Sequence, residues 1–341
     1  MGELDPTPYW LPDELESVDQ CPVCQSSRSA IAYEGLRDEL EGVPGEWSMR
    51  RCLSCGSFYL GLRPKALAIG KAYASYYTHV SGLERMAADN GTSFLWRLSN
   101  GYMNARFGSA RAPASFVGRI VLPWLLPLRQ QLDFFYRHLP GRPGKLLDVG
   151  CGNGIFLLRA KDAGWDVQGI EPDPMAVAAA RRAGLDVIEG TLDAYGGDGD
   201  FDVVTTSHVI EHVHDPRRFV EQMFALLRPG GRLWIATPNA QSLGHRHFGH
   251  AWRGLEPPRH ITVLTQRALR ELLESTGFRQ IRNHRRGRGS GYILRASMKL
   301  AERYGSPATP LSNRWVDLLA TCSAALGEEC VVSAVKGWCD E

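Results

Sequence analysis

The sequence predicts an α/β protein organised around a mostly parallel sheet, and three observations predict it. Short apolar runs alternate with segments of helical periodicity across residues 143–285. A glycine-rich turn joins the first run to the first helical segment in "KLLDVGCGNGIF". An acidic residue, Glu171, then closes the second run in "DVQGIEPDP". Strand, crossover helix and strand of this kind place a ligand site beyond the carboxyl ends of the strands.

At 341 residues, 44% hydrophobic and 22% charged, the chain has ample material for a packed core. Its 39 basic and 37 acidic residues leave a net charge of +2, too balanced to predict a nucleic-acid or membrane partner from charge alone. The acidic start "MGELDPTPYWLPDELESVDQ" has no apolar targeting core, and the longest apolar run, "FVGRIVLPWLLPL", falls short of the ~20 residues a bilayer span requires. A cytoplasmic protein is expected. Without a secretory signal, the eight cysteines favour metal ligation or free thiols over disulfides.

From the N-terminus, the first element is a pair of cysteine knuckles, Cys21-Pro-Val-Cys24 and Cys52-Leu-Ser-Cys55, separated by 27 residues that can hold a hairpin. Two C-x2-C units supply four thiolates to one tetrahedral zinc ion and leave no open position, so the expected ion is structural. Residues 1–65 are read as a small zinc-ribbon-like module whose limited core the metal would supplement. Residues 66–142 form a helical linker, beginning with the tyrosine-rich "GKAYASYYTHV". Leu132, Phe135, Tyr136 and Leu139 recur there at helical spacing. They predict a helix packed on the following domain, or a surface facing membrane or a lipid-linked substrate.

Residues 143–341 carry the sheet. Lys145–Val149 reads as a buried strand, Ile155–Ala163 as the helix after the glycine turn, and Trp165–Ile170 as the second strand. The turn is G-x-G-x-G, not the G-x-G-x-x-G of dinucleotide folds, and Asp148 stands two residues before its first glycine. A carboxylate there suits a cationic ligand such as S-adenosylmethionine (SAM). Glu171, 21 residues after Gly150, can accept both ribose hydroxyls. A third strand falls at Val187–Ile188, with Thr191-Leu192-Asp193 flanking an adenine site. "FDVVTTS" and "GGRLWIATPN" supply the fourth and fifth, and a helix between them is N-capped by Asp215 and ended by "RPGG".

Together "LLDVGCGNG", "GIEPD", "FDVVTTSHVIEHVHDP" and "LLRPGGRLWIATPN" resemble the class I SAM-dependent methyltransferases over roughly residues 143–285. The resemblance implies a Rossmann-like seven-stranded sheet with an antiparallel last strand. "FRQIRNHR" and "EECVVSAVKG" would be strands six and seven, with a helical insertion at about 292–325 between them. It places Asp148, Gly150, Gly152, Glu171 and Leu192 around the cofactor, with Cys151, Asn153, Pro172, Thr191 and Ser207 expected to complete that shell.

His208-Val-Ile-Glu211-His212 spells H-x-x-E-H, a signature that zinc peptidases carry inside a sustained helix. Here it falls in a short turn past the fourth strand, before a new helix at Pro216. That position lies beside the reactive methyl group of a methyltransferase. His212 is the first candidate for a general base toward a hydroxyl acceptor, with Glu211 orienting it. This turn is similar to that of the ubiquinone-pathway O-methyltransferases, with His208 standing where those carry an acid. Further on, the W-x-G-x-x-P-P-R-H arrangement ending at His260 resembles bacterial methyltransferases with an N-terminal cysteine-pair module. That resemblance implies a small-molecule, sugar or lipid-linked acceptor, and it makes His260 a second candidate base. The alternatives are an RNA or protein methyltransferase, a zinc peptidase, or a non-catalytic binding protein. "RNHRRGRGSGY" reads either as a solvated basic turn or as a phosphate or RNA contact.

Overall fold

The computed structural model describes residues 9–73, 93–196, 199–306 and 308–337; part of the tyrosine-rich stretch and Cys339 lie outside them. The N-terminal strands are Leu15–Ser17 (β1), Ser29–Leu36 (β2), Trp47–Cys52 (β3), Phe58–Leu60 (β4) and Leu62–Pro64 (β5). β2 and β3 pair antiparallel across the gap between the cysteine knuckles, as that gap's length allows. β4 then pairs with Thr262–Val263, a two-residue strand from far along the chain, so the N-terminal sheet is completed by residues that follow the glycine turn and the histidine turn.

The strands of the main sheet are Lys145–Val149 (β6), Asp166–Glu171 (β7), Asp186–Glu189 (β8), Phe201–Ser207 (β9) and Leu227–Pro238 (β10). With Thr262–Val263 as β11, the last two are Phe278–Asn283 (β12) and Glu329–Lys336 (β13). Their order is β12-β13-β10-β9-β6-β7-β8, with β13 antiparallel to both neighbours and the central strands parallel. β6 and β9 are buried along nearly their whole length because both faces are covered. On one face lie the helices Pro216–Leu226 and Gln266–Thr276, which bury Phe219, Met223, Leu269 and Leu273. On the other, Ile155–Asp162 and Pro174–Arg182 pack with linker residues Leu132, Tyr136 and Leu139. The linker helix stops at Phe135, one turn short of the periodicity, and Arg137 and His138 take left-handed backbone angles. The insertion between β12 and β13 consists of the helices Ser290–Arg303 and Asn313–Cys322.

A buried ionic knot ties the N-terminal segment to this core. Arg259 Nη1 donates to Asp38 Oδ2 at 2.8 Å and its Nε to Glu256 Oε1 at 2.8 Å, with Asp38 and Arg259 both buried. Around the knuckles, Thr265 Oγ1 donates to the Cys55 carbonyl at 3.0 Å and Arg267 Nη2 to that of Ser54 at 2.8 Å. Removing one partner of a buried pair strands the other charge. Asp38→Ala is therefore expected to destabilise the protein by about 3 kcal/mol, the low end for such a cut because Glu256 stays. Equilibrium urea denaturation read by circular dichroism checks this.

Candidate functional site

Two groups of residues meet past the carboxyl ends of the central strands. The first is the glycine turn. Gly150, Gly152 and Gly154 all have positive φ, and the N–H groups of Gly150 and Cys151 both donate to the Ile170 carbonyl, folding the turn over β7. A side chain added at Gly152 would meet no protein atom within 4 Å, so the space above it is open to a ligand. Glu171, at the end of β7, accepts from Gly152 N–H at 2.8 Å and from Asp173 N–H at 3.0 Å. Each of its oxygens keeps a second lone pair for a ribose hydroxyl. Burial raises its pKa, and those backbone donors pull the other way.

The neighbours divide. Leu192 is buried and Pro172 exposed at the rim, while Thr191 leads into the short 3-10 turn Leu192–Ala194 and Ser207 ends β9. Asn153 Oδ1 accepts from Ile155 N–H at 3.4 Å at the start of the helix. The Cys151 thiol lies under the turn, where a side chain on Gly169 would run into it. Asp148 is fully buried: Arg137 pairs with it and Thr205 Oγ1 donates to it at 2.9 Å. Burial still raises its pKa to about 6 against those two partners. Its charge is thus compensated from within the protein by a linker arginine that stacks on Phe156 and Trp234. Nothing in the sequence signals Arg137 as that partner.

The second group is the histidine turn, a 3-10 turn over Ile210–His212 that begins with His208 at φ 55°. Val209 packs against Gly150, where an added side chain would approach its Cγ2 to 2.3 Å, so the two groups share one wall. Glu211 is completely buried; its Oε1 accepts from His208 Nδ1 at 3.2 Å and its Oε2 from Thr237 Oγ1 at 2.9 Å. Burial works to raise its pKa, but the His208 hydrogen bond and the charges of His208, His212 and His260 hold it at about 2.

His208 does not point where the peptidase motif requires. Its Nε2 faces Glu329 Oε1 at 2.9 Å while Nδ1 faces Glu211, and carboxylates accept. Donating from both nitrogens leaves it no lone pair for a metal or a substrate proton. The turn also replaces the helix that such zinc sites need, so the H-x-x-E-H spacing is coincidental here. Glu329 additionally pairs with Arg286, which covers the Phe134 ring. The basic run is accordingly neither a wholly solvated turn nor an open phosphate cradle, since Arg286 is turned inward.

His212 and His260 do converge. Their ring centroids are 4.7 Å apart, and Glu211, His212 and His260 each offer a ligand atom within 4.8 Å of the others. The Nδ1 of His212 lies 2.9 Å from the Arg259 carbonyl and that of His260 2.8 Å from the Gly254 carbonyl. A carbonyl only accepts, so both rings carry a proton on Nδ1. The Nε2 of His260 faces the Glu256 carboxylate at 3.4 Å. The Tyr73 hydroxyl also lies 3.0 Å from His212 Nδ1. Burial lowers the pKa of His260 to about 4, overcoming the opposing pull of Glu256. Tyr73 and Glu329 reach the site from remote segments, whereas Thr237 and Glu256 lie inside the fifth-strand and W-x-G-x-x-P-P-R-H stretches without being marked there as site residues.

The four knuckle cysteines form a separate cluster. Cys21 and Cys55 sulfurs are 3.7 Å apart and those of Cys24 and Cys52 3.5 Å, all four within 4.8 Å of one another. Sulfurs bonded tetrahedrally to zinc at 2.3 Å lie about 3.8 Å apart, so the arrangement fits that ion. The hydrogen bond between Cys21 and Cys55 holds the Cys55 thiol below its ordinary range and pushes that of Cys21 above it.

Residues 127–283 match the family model described as a methyltransferase domain. Over 125 residues the chain is 37% identical to a ubiquinone biosynthesis O-methyltransferase from Erwinia tasmaniensis, covering 34% of this chain and 51% of that protein. Over 102 residues it is 37% identical to the mitochondrial ubiquinone biosynthesis O-methyltransferase of Schizosaccharomyces pombe, covering 27% and 37%. The chain thus spans about half or less of the length of these curated relatives. A SAM-dependent methyltransferase structure from Mesorhizobium loti superposes with a TM-score of 0.41 at 19% identity, over 61% of this chain and 98% of that one.

The depressed pKa of His260 has a consequence for stability. Unfolded, an imidazole titrates near 6.5; folded, this one titrates near 4. Below 6.5 the unfolded chain binds a proton that the folded chain refuses, so stability is full above about 6.5 and falls as pH drops toward 4. His260→Gln is expected to remove on the order of 3 kcal/mol of that acid loss. Urea melts of both proteins at pH 7 and pH 4.5 measure the difference.

Proposed function

We propose that this chain transfers the methyl group of SAM to a hydroxyl of a small-molecule, sugar or lipid-linked acceptor. The observation that carries the reading is the open space above Gly152 beside Glu171, in a domain that matches the methyltransferase model. Glu171 would accept the ribose hydroxyls, Leu192 would flank the adenine, and the amides of the glycine turn would line the methionine portion. SAM bound there supplies an electrophilic methyl group on a sulfonium, and the protein's contribution to the displacement is mainly alignment.

His212 is the proposed base. Its Nδ1–H is fixed on the Arg259 carbonyl, which leaves Nε2 to accept the hydroxyl proton as the oxygen attacks. The buried Glu211 carboxylate beside it favours the imidazolium that results, and His260 closes the other side of the pair. His208 acts at one remove, holding Glu211 in place. A second reading is favoured by the mutual distance of Glu211, His212 and His260: they could gather a divalent cation that polarises the hydroxyl. The four cysteines are proposed to hold a structural zinc, and an expected cytoplasmic location accords with the described helices, none of which is long and apolar enough to cross a membrane.

Calorimetric titration of SAM into zinc-replete protein tests the cofactor. Binding near micromolar, about −8 kcal/mol, is expected. Glu171→Ala should weaken it roughly tenfold or more, as loss of charged hydrogen bonds requires. No heat with the intact protein would refute the reading. Once an acceptor is in hand, His212→Ala should lower kcat by about 10²–10⁴ while leaving SAM affinity unchanged. Native mass spectrometry should find one zinc per chain, and Cys24→Ser should lose it together with several degrees of melting temperature.

A further inference from the structure

Helices from the linker present an apolar face that no described element covers. Phe94–Phe107 and Phe116–Val121 cross tightly: an added side chain at Gly118 would fall 1.9 Å from the Leu98 carbonyl oxygen, and one at Gly101 1.8 Å from that of Ser115. The crossing buries Gly118 of the second helix and turns its large residues outward. Phe116, Val117, Ile120, Val121, Trp124 and Leu125 are all exposed, Trp124 by 83%. Their spacing of one and four repeats through the 3-10 turn Leu122–Trp124 and makes a single stripe. Phe94 and Leu95, both exposed, begin the neighbouring helix. Monomeric proteins rarely expose contiguous large apolar residues in this way without a use for them.

The charges around the stripe are of one sign. Between Ser93 and Leu132 there are five arginines (Arg97, Arg106, Arg119, Arg129 and Arg111, the last buried against Asn100), no lysine and no acidic residue, in a chain whose net charge is only +2. Arg119 lies over the Phe116 ring, Arg129 donates to the Pro123 carbonyl beside Trp124, and the Arg97 carbonyl receives the Ser115 N–H at the foot of the stripe. Aromatic and aliphatic residues rimmed by arginines match the boundary of an anionic bilayer, where the rings enter the acyl region and the guanidiniums meet phosphates. We propose that this stripe docks the protein on an anionic lipid surface, peripherally and without spanning it. The inference does not rest on the methyl-transfer reading.

Flotation of the full chain with vesicles tests it, using equal parts phosphatidylglycerol and phosphatidylcholine beside pure phosphatidylcholine. The protein should float with the anionic vesicles and less so as salt is raised. Phe116→Ser/Ile120→Ser/Trp124→Ser should lose at least tenfold in partitioning, and Arg97→Ala/Arg119→Ala roughly fivefold per residue on the anionic vesicles alone. These side chains are exposed, so circular dichroism and melting temperature should stay as in the parent. Failure to float with either vesicle, or flotation that the serine variant retains, would overturn the proposal. So would a parent dimer that the serine variant renders monomeric while vesicles are ignored, since the face would then belong to a second copy.

Discussion

The carboxylate of Glu211 is the constraint around which the acceptor end is arranged. A fully buried ionised group is tolerated only if its oxygens are hydrogen-bonded and opposite charge stands near. Here His208 and Thr237 supply the bonds, and His212 and His260 complete the surrounding ring of imidazoles. Those donors come from the histidine turn, from β10 and from the loop before β11. Meeting them forces His208 into a left-handed conformation, a local strain of about 1–3 kcal/mol that the surrounding hydrogen bonds must outweigh. The turn is pinned accordingly, by the His208 N–H on the Ala236 carbonyl and by the Ile261 N–H on that of Glu211. Val209, held between them, then fixes the wall that the glycine turn shares with the histidines.

The same requirement explains why the N-terminal segment is fused to the core. His260 follows Arg259, and Arg259 is anchored on Asp38 between the β2 and β3 strands and on Glu256 within its own loop. β11 extends the N-terminal sheet two residues later. The cysteine cluster stabilises that sheet from its far end, and its knuckles accept hydrogen bonds from Thr265 and Arg267 just after β11. Zinc at the cysteines would therefore bear on the position of His260 by way of one continuous sheet.

The sheet was legible because parallel strands buried on both faces read as apolar runs, and the glycine turn and Glu171 mark the ligand end of the first two. The antiparallel β13 was legible only through resemblance, since nothing in "EECVVSAVKG" states its direction. Within the site, His212, Glu211 and His260 were legible as chemistry-bearing residues, and folding brings these three together. Their partners were not. Glu329 lies 121 residues from His208, Tyr73 139 residues from His212, and Asp38 221 residues from Arg259. Such separations leave no local pattern. Arg137 was hidden for a different reason: helical periodicity predicted one more turn of helix, whereas the chain leaves the helix there so that the arginine can reach Asp148.

The central claim is that His212, its Nδ1 against the Arg259 carbonyl, holds its proton there and keeps Nε2 to accept one beside the buried Glu211. Two-bond nitrogen-15 correlation spectra of the histidine rings at pH 7, assigned through His212→Gln and His260→Gln, test it most directly. The account predicts that the His212 ring carries a proton on Nδ1 and none on Nε2 in the protein without acceptor. A proton on Nε2 of His212 would contradict it, because a general base could not then operate from that nitrogen.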